Sequence, residues 1–556
     1  MYSNISVCGF PTSRPAAILF VCAVFIGIIF SPFICPIYWD EIEQNLIGEY
    51  NFNQYVTVFD RIFGTSFSNP AYADFEHFRD RDYGSIFEVL TVVLGKIAAK
   101  FFVTFDFADF IVIKHFAVFF VFILGTCGVY SIAERRLCSS LGGLLAAVVF
   151  FLSPRLFGNA FFNSKDIVFL SFFVLSINYI LLSSEKCSAR SVVLAALFTA
   201  IASSARIIGL FSLFLGVFVF LISWYRNGWS GKMIFSVIVG FVLLTLLLIY
   251  CFYPFLWPSP FSRAYDVISA MSKFTRHADV SLLAGKSVNS HQEPFYLLHW
   301  MAITLPFQFI FLALVGQLQG LLLMLKGTFH LSLWKDREEL VDYIITGLGL
   351  CPVLVSFIKH PWVYDGWRHF YFLVPFLSVS VAVAVFKLAS LFGNRKTKIV
   401  VAVWLSATVI LESLIGILRF FPYPNCYFNS YAGHNLINSY DLDYSGTAGH
   451  EGLVRIISLH KDLTKPIVIY SDRIALFRER LGLAGKMIRV VYKDKEKFPD
   501  YVVSNRQYLT RTEHDLYHEV SSVETLGGEV LLRILVPNNN RDSFCKLNKD
   551  KCDIRR

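Results

Sequence analysis

Residues 16–41 read AAILFVCAVFIGIIFSPFICPIYWDE. The apolar part is roughly 20 residues long, enough to cross a bilayer as a helix. It ends on two adjacent carboxylates, Asp40 and Glu41, after Tyr38 and Trp39. Charge at the mouth of a membrane helix is costly unless something there uses it. Two readings follow. The pair supplies a catalytic base or orienting acid facing a lipid-linked substrate, or it is the solvated start of a loop. The rest of the chain decides between them.

The run is one of several. Of 556 residues, 55% are hydrophobic and 57 are Phe, while only 16% are charged, against about 25% in soluble domains. The long runs do not alternate, which specifies an all-α polytopic membrane domain rather than a β-barrel. The net charge of +9 reads as Lys and Arg in cytoplasmic loops, plus basic groups facing an anionic lipid head. No basic, aromatic-interleaved module for nucleic acid is present. The first run lacks a small-residue cleavage site and reads as a retained span.

Spans are expected near 16–36, 111–132, 141–153, 167–182, 192–204, 207–224, 233–252, 300–325, 341–358, 370–391 and 399–420, about eleven crossings. Residues 85–102 are apolar but carry Glu88 and Lys96. Treated as a non-crossing juxtamembrane helix, they leave Arg135 and Arg136 cytoplasmic, as the positive-inside rule requires. Segments 186–190, 226–232, 326–339 and 394–398 are then cytoplasmic. The outer side receives loop 37–104, Arg155 to Asp166, Arg206, loop 253–299, residues 360–369 and everything after Phe421.

The dense polar clusters gather on that outer face. His77 to Gly84 alternates Arg79, Asp80, Arg81 and Asp82. It reads as a solvated ion-pair ladder or as a second carboxylate beside Asp40 with Arg facing phosphate. Asp166 suits helix capping, but Arg155 and Lys165 lie at outer span ends and need a partner, which a phosphate supplies. Arg206, between two apolar runs, lines a cavity or closes a tight turn. Loop 253–299 is long for a connector and holds Lys273, Arg276, His277, His291 and His299, with no zinc spacing. Lys359 to His369 combines Lys359, His360, Arg368 and His369 with Tyr364, Asp365 and two Trp. Interface aromatics explain the Trp residues; a phosphate-binding cluster explains the basic ones. Tyr427, Asn429 and the Tyr440–Tyr444 segment suit stacking on a sugar or an ordered linker.

From residue 445 the chain reads as a small soluble α/β domain on the outer side. Residues 453–463 have helical period, 474–481 suit a second helix, and 466–470, 487–492, 501–503 and 529–536 are β-rich. No Gly-rich phosphate loop opens these helices. Cys545 and Cys552 form either a local disulfide, if that end lies outside the cytosol, or a free pair.

A basic, carboxylate-bearing cavity entered from lipid on the outer face suits transfer of a sugar from a polyprenyl phosphate. Arg and Lys stabilise the departing phosphate, and a carboxylate takes the acceptor's proton. The rival reading is a transporter or lipid flippase, which predicts charges near mid-span. A non-catalytic scaffold is a second rival.

The chain resembles the GT-C superfamily of integral membrane glycosyltransferases. It looks most like the family 39-related group of protein O-mannosyltransferases and aminoarabinose transferases, and closest to uncharacterised bacterial members. The carrying features are Asp40-Glu41 after the first span, the juxtamembrane helix closing the first outer loop, and the outer C-terminal domain. Similar patterns are Arg155-Leu-Phe-Gly-Asn with Asn163-Ser-Lys-Asp166, Tyr364-Asp-Gly-Trp-Arg-His369, and Tyr427-Phe-Asn with Asp441-Leu-Asp-Tyr444. The resemblance spans most of residues 10 to 450. It implies Asp40 as catalytic base, then Glu41, with Asp82 as the second acid of the loop. Arg81, Arg155, Lys165, Arg206, Arg368 and His369 are its donor-phosphate candidates. Tyr364, Asp365, Tyr427 and Asn429 are its substrate-binding candidates. The Lys-Pro-Pro stretch common in the group is Asp82-Tyr83-Gly84-Ser85 here. The implied donor is a polyprenyl-phosphate sugar, the acceptor a lipid, glycan or protein, and membrane lipids the surroundings. Some members bind a divalent cation, and no His–carboxylate cluster here compels one. The only Asn-x-Ser/Thr sequon, Asn4-Ile5-Ser6, falls on the inner side. That favours a bacterial inner membrane with a periplasmic C-terminus.

Overall fold

The computed structural model describes residues 14–31, 38, 40–102, 104–272, 281–329, 337–460, 466–472, 488–491, 499–505 and 517–538. Trp39, Lys273, Arg276, His277, Cys545, Cys552, the end of the first span and the helix expected at 474–481 lie outside them.

Helix α1 (Arg14–Phe30) is followed by α2 (Glu41–Phe63) and α3 (Ile86–Ala98), both within the segment expected as the first outer loop. The membrane part continues through α4 (Phe107–Leu137), α5 (Ser140–Phe151), the short α6 (Pro154–Asn159), α7 (Asp166–Lys186), α8 (Ala189–Ala205), α9 (Phe211–Asn227) and α10 (Gly231–Phe252). Between α10 and the next long helix lie α11 (Pro260–Ser272), the hairpin β1 (Ser281–Leu283) and β2 (Lys286–Val288), and α12 (Tyr296–Thr304). Helices α13 (Phe307–Phe329), α14 (Arg337–Lys359), α15 (Val374–Ser390) and α16 (Arg395–Arg419) complete it.

Among the described residues, eight helices are long and apolar enough to cross a membrane: α4, α7, α9, α10, α13, α14, α15 and α16. Three shorter apolar helices, Ala17–Phe30, Ser140–Phe151 and Ala189–Ala205, fall on the other expected spans. The span expected at 300–325 is instead broken at Leu305-Pro306, because Pro306 disfavours helix in the residue before it and cannot donate a backbone bond. The freed end of α13 is closed from outside. Glu412 of α16 accepts from the Phe307 and Gln308 N–H groups at 2.6 and 2.8 Å. That accounts for a carboxylate inside an apolar span: it satisfies the orphan donors of a helix N-terminus and favours its dipole.

Helix α7 is the centre of the bundle, buried along nearly its whole length between α4, α8 and α9. Phe169 and Phe173 pack edge-on to Phe372 at 5.6 and 5.7 Å. An all-round apolar helix of this kind belongs inside a bundle. By contrast α10 and α16 leave rows of large apolar side chains exposed, as lipid-facing helices do.

After the 4-residue α17 (Leu436–Ser439), α18 (Gly449–Ser458) packs on a five-stranded mixed sheet. Its strands are β3 (Ile467–Asp472), β4 (Ile488–Val491), β5 (Tyr501–Ser504), β6 (Tyr517–Glu524) and β7 (Val530–Pro537), in the order β4-β3-β5-β7-β6. The four expected strand segments are present. The fifth, β6, reads YHEVSSVE; it is an edge strand, and its polar composition suits an edge and hides it from a search for apolar runs. The sheet is tied to the last span. Leu526 N–H donates to the Phe421 carbonyl at 2.8 Å, and Arg419 pairs with Glu529.

Candidate active site

Two charge networks meet at the starts of α2 and α7. The first is sealed. Glu41 opens α2 and has no solvent exposure; its carboxylate faces Lys114 and His115 of α4, each at 3.1 Å. Lys114 also reaches Glu88 of α3 at 3.0 Å. Burial alone would push the Glu41 carboxyl up, but Lys114 and His115 hold it below the ordinary glutamate value. Ser164 donates to Glu88 at 2.5 Å, and the Tyr38 hydroxyl lies 3.4 Å from Ser164. This network pins α2 and α3 to α4 and reaches the turn before α7. Glu41 is therefore not open to substrate, and the expectation of it as a base is corrected. Lys114 and His115 were missed in the sequence. The signal was there: two adjacent ionisable residues inside an apolar run mark a buried partner or a site.

The second network is open. Asp40, one residue earlier, is about one-third exposed and accepts from Arg368 at 3.1 Å. Arg368 also pairs with Asp365 at 2.8 Å. Arg206 pairs with Asp166, whose carboxylate also accepts from Asn163 at 3.0 Å. Lys165 sits between these pairs, with its Nζ 3.8 Å from the centre of the Tyr83 ring. Burial, reinforced by Arg206, brings the Lys165 ammonium down to about 7, while Asp40 and Asp166 pull it back up. Three segments far apart in the chain thus bring Asp40, Lys165 and Arg368 to one place.

Of these three, Lys165 lines a pocket of about 670 Å³, and Asp40 and Arg368 adjoin it without lining it. Lys165, Arg206, His369, Tyr364 and Lys359 line its polar part. Its apolar wall comes from α9 and α10 with their connections (Ile208, Leu210, Ile249) and from α11 (Val267, Ile268, Met271). Helix α11 turns Val267 inward and leaves Phe261 and Tyr265 93% and 70% exposed, so it is amphipathic across the pocket mouth. Asp82 is the one carboxylate among the described lining residues. Burial pushes its carboxyl above the ordinary aspartate value, against the pull of Arg81 and Lys165. Gly84 explains the departure from Lys-Pro-Pro at this point. Its backbone presses on the Ser204 carbonyl at the end of α8, where no Cβ fits, and the Ile86 N–H donates to Ser204 Oγ at 3.3 Å.

The remaining expected residues divide. Tyr364 and His369 both line the pocket, edge to face at 4.6 Å, and Asp365 acts through Arg368. Arg81 lies outside the pocket, over the Phe255 ring at 5.8 Å, in a smaller adjoining hollow. Arg155 is 1% exposed. Its guanidinium is held against the Phe428 and Trp300 rings at 4.6 and 5.5 Å and donates to the Tyr427 carbonyl at 2.9 Å. It is not among the residues that line the pocket. Tyr427 and Asn429 are also corrected. Tyr427 is buried against Phe420. Asn429 spends its amide on the Ala302 and Leu305 carbonyls, both at 2.7 Å, and its carbonyl on the Tyr431 N–H at 2.9 Å. These groups fasten the segment after the last span onto α12. The alternating amides and aromatics that suggested a sugar platform are structural. Among the described residues no three His, Cys, Asp or Glu side chains group to hold a metal ion.

No family model matches the chain, and no curated protein matches it. Solved structures do. The chain is similar to ArnT from Cupriavidus metallidurans in the apo state, with 13% identity and a TM-score of 0.45 over 94% of this chain and 97% of that one. It is similar to the Archaeoglobus fulgidus oligosaccharyltransferase in the apo form, with 9% identity and a TM-score of 0.44 over 81% of this chain and 62% of that one. It is also similar to the Cupriavidus metallidurans ArnT bound to undecaprenyl phosphate, with 13% identity and a TM-score of 0.41 over 93% of this chain and 97% of that one. At such identities function has to be read from the side chains of the site.

Proposed function

We propose that this chain is a membrane glycosyltransferase that moves a sugar from a polyprenyl-phosphate donor to an acceptor on the non-cytoplasmic face, in a bacterial inner membrane. The observation that carries the reading is a pocket with a cationic end, formed by Lys165 and Arg206, and an apolar wall from α9 to α11. A phosphate at the head of an isoprenoid chain has the same two halves. Asp40 takes the proton from the acceptor's hydroxyl or amine. The acceptor's lone pair forms the new bond at the anomeric carbon as the bond from that carbon to the phosphate oxygen breaks. The bonding pair stays on the phosphate, and Lys165 and Arg206 stabilise the charge it gains. In-line displacement inverts the anomeric centre. Arg368 orients Asp40. Asp82, on the pocket wall, is the second carboxylate.

The transporter reading needs charges along a path through the bilayer. Lys114 and His115 are the ionisable pair inside α4, and both are closed off in ion pairs, 0% and 1% exposed, which supports chemistry at the surface. The test is transfer itself. Purified protein is incubated with radiolabelled polyprenyl-phosphate sugars and membrane extract, and the labelled product is identified. Label that stays on the donor across the panel, with lipid flipping measured instead, sinks the proposal.

The Lys165 ammonium gives a pH signature. With its pKa near 7, Lys165 is protonated below that value and neutral above it. Affinity for a polyprenyl-phospho-sugar, a phosphodiester whose charge is constant over this range, is expected to fall as pH rises from 6 to 8, and a Lys165→Met variant is expected to lose that slope. A binding isotherm series that is flat in wild type, or equally steep in the variant, counts against Lys165 as the phosphate's partner.

A further inference from the structure

The pocket carries more positive charge than one phosphodiester uses. Arg206 is balanced by Asp166, and Arg368 by Asp365 and Asp40. Two lysines on the pocket wall have no carboxylate within ion-pair distance among the described residues: Lys165 and Lys359. They come from different elements. Lys165 precedes α7, at the Asp40 network. Lys359 is the last residue of α14, at the outer end of a span, where the positive-inside bias disfavours a Lys.

Next to Lys359 the wall is built and flat. The His291 and Trp362 rings stack at 4.8 Å and 8° between planes, and both line the pocket. The stack is fixed from behind: His291 Nδ1 contacts the His360 carbonyl, and His360 holds φ at +45°, a conformation that a non-Gly residue keeps only when its surroundings impose it. An aromatic face beside an ammonium suits a sugar ring bearing, or lying next to, a negative group. Asp82 repels an anion at its own position, which leaves the Lys359 end to receive it.

We propose that the donor carries a second anionic group besides the phosphodiester, and that Lys359 receives it beside the Trp362–His291 stack. The group is either a carboxylate on the transferred sugar or the second phosphate of a diphosphate linkage; both present the same charge to the ammonium. The proposal rests on the lipid-linked donor reading above.

Binding to the full chain in lipid nanodiscs tests it, with polyprenyl-phospho-glucose, polyprenyl-phospho-glucuronate, polyprenyl-diphospho-glucose and the uncharged polyprenol as probes. Wild type is expected to bind the glucuronate or the diphosphate lipid about tenfold more tightly than polyprenyl-phospho-glucose, the scale of one charge-assisted contact. Which of the two is preferred identifies the group. Lys359→Gln is expected to reduce that ratio to near one, and Lys359→Arg to restore most of it. Lys359 is exposed, so these variants should fold. Equal affinity of wild type for the three charged lipids overturns the proposal and leaves the donor reading intact. So does an unchanged ratio in Lys359→Gln, which would make Lys359 only a favourable charge at the end of α14. If none of the three exceeds polyprenol, the donor reading itself fails, and the second anionic site with it.

Discussion

Asp40→Asn is expected to lower sugar transfer by about 10²–10⁴-fold, the usual contribution of a positioned general base, with little change in thermal unfolding. The substitution keeps size and an oxygen that accepts from Arg368, and Arg368 keeps its bond to Asp365, so the network should hold while the proton acceptor is gone. The neighbouring carboxylate cannot substitute for it, because Glu41 is fully buried between Lys114 and His115. The measurement is initial transfer rate against a melting curve on the same preparation. A well-folded variant within tenfold of wild type would remove Asp40 as base and direct attention to Asp82, the carboxylate on the pocket wall.

Lys114→Met should have the largest effect on stability. It leaves Glu41 and Glu88 facing one another without their shared cation, both buried. Removing one partner of a buried ion cluster costs about 3–5 kcal/mol, because the remaining charge is uncompensated. The expected result is a large drop in the unfolding midpoint in detergent, with poor yield of folded protein. Adding Glu41→Gln and Glu88→Gln to Lys114→Met should recover much of the loss, since replacing a whole buried ionic group is often close to neutral. A Lys114→Met protein that melts with wild type would contradict the cluster. The cluster matters to the site because Glu41 adjoins Asp40 in the chain, and Ser164, bonded to Glu88, adjoins Lys165. One sealed network thus sets the positions of two groups in the open one.

Much of the framework was legible in the chain. The apolar runs gave the helices, and the charge bias at their ends predicted that Asp40, Lys165, Arg206 and Arg368 share a face. Residues 85–102 were set apart from the spans by Glu88 and Lys96, and the structure has an amphipathic helix there. The strands of the tail followed from β-branched runs; β6, half-exposed at a sheet edge, did not.

Composition and order along the chain determined that this is a helical membrane protein with a small sheet domain after the last long apolar helix. Those are matters of transfer free energy, which each run carries locally. The division of labour within the polar residues was decided only by the tertiary structure. Asp40 and Glu41 are neighbours in sequence, yet one is open and the other sealed, because the start of α2 turns one side chain toward Arg368 and the other into α4. Arg155, Tyr427 and Asn429 have the composition of a binding site, and burial makes them structural. A charged side chain has the same letter in either role; its exposure and its partner come from segments up to 328 residues apart, as for Asp40 and Arg368. Local sequence does not encode that distance.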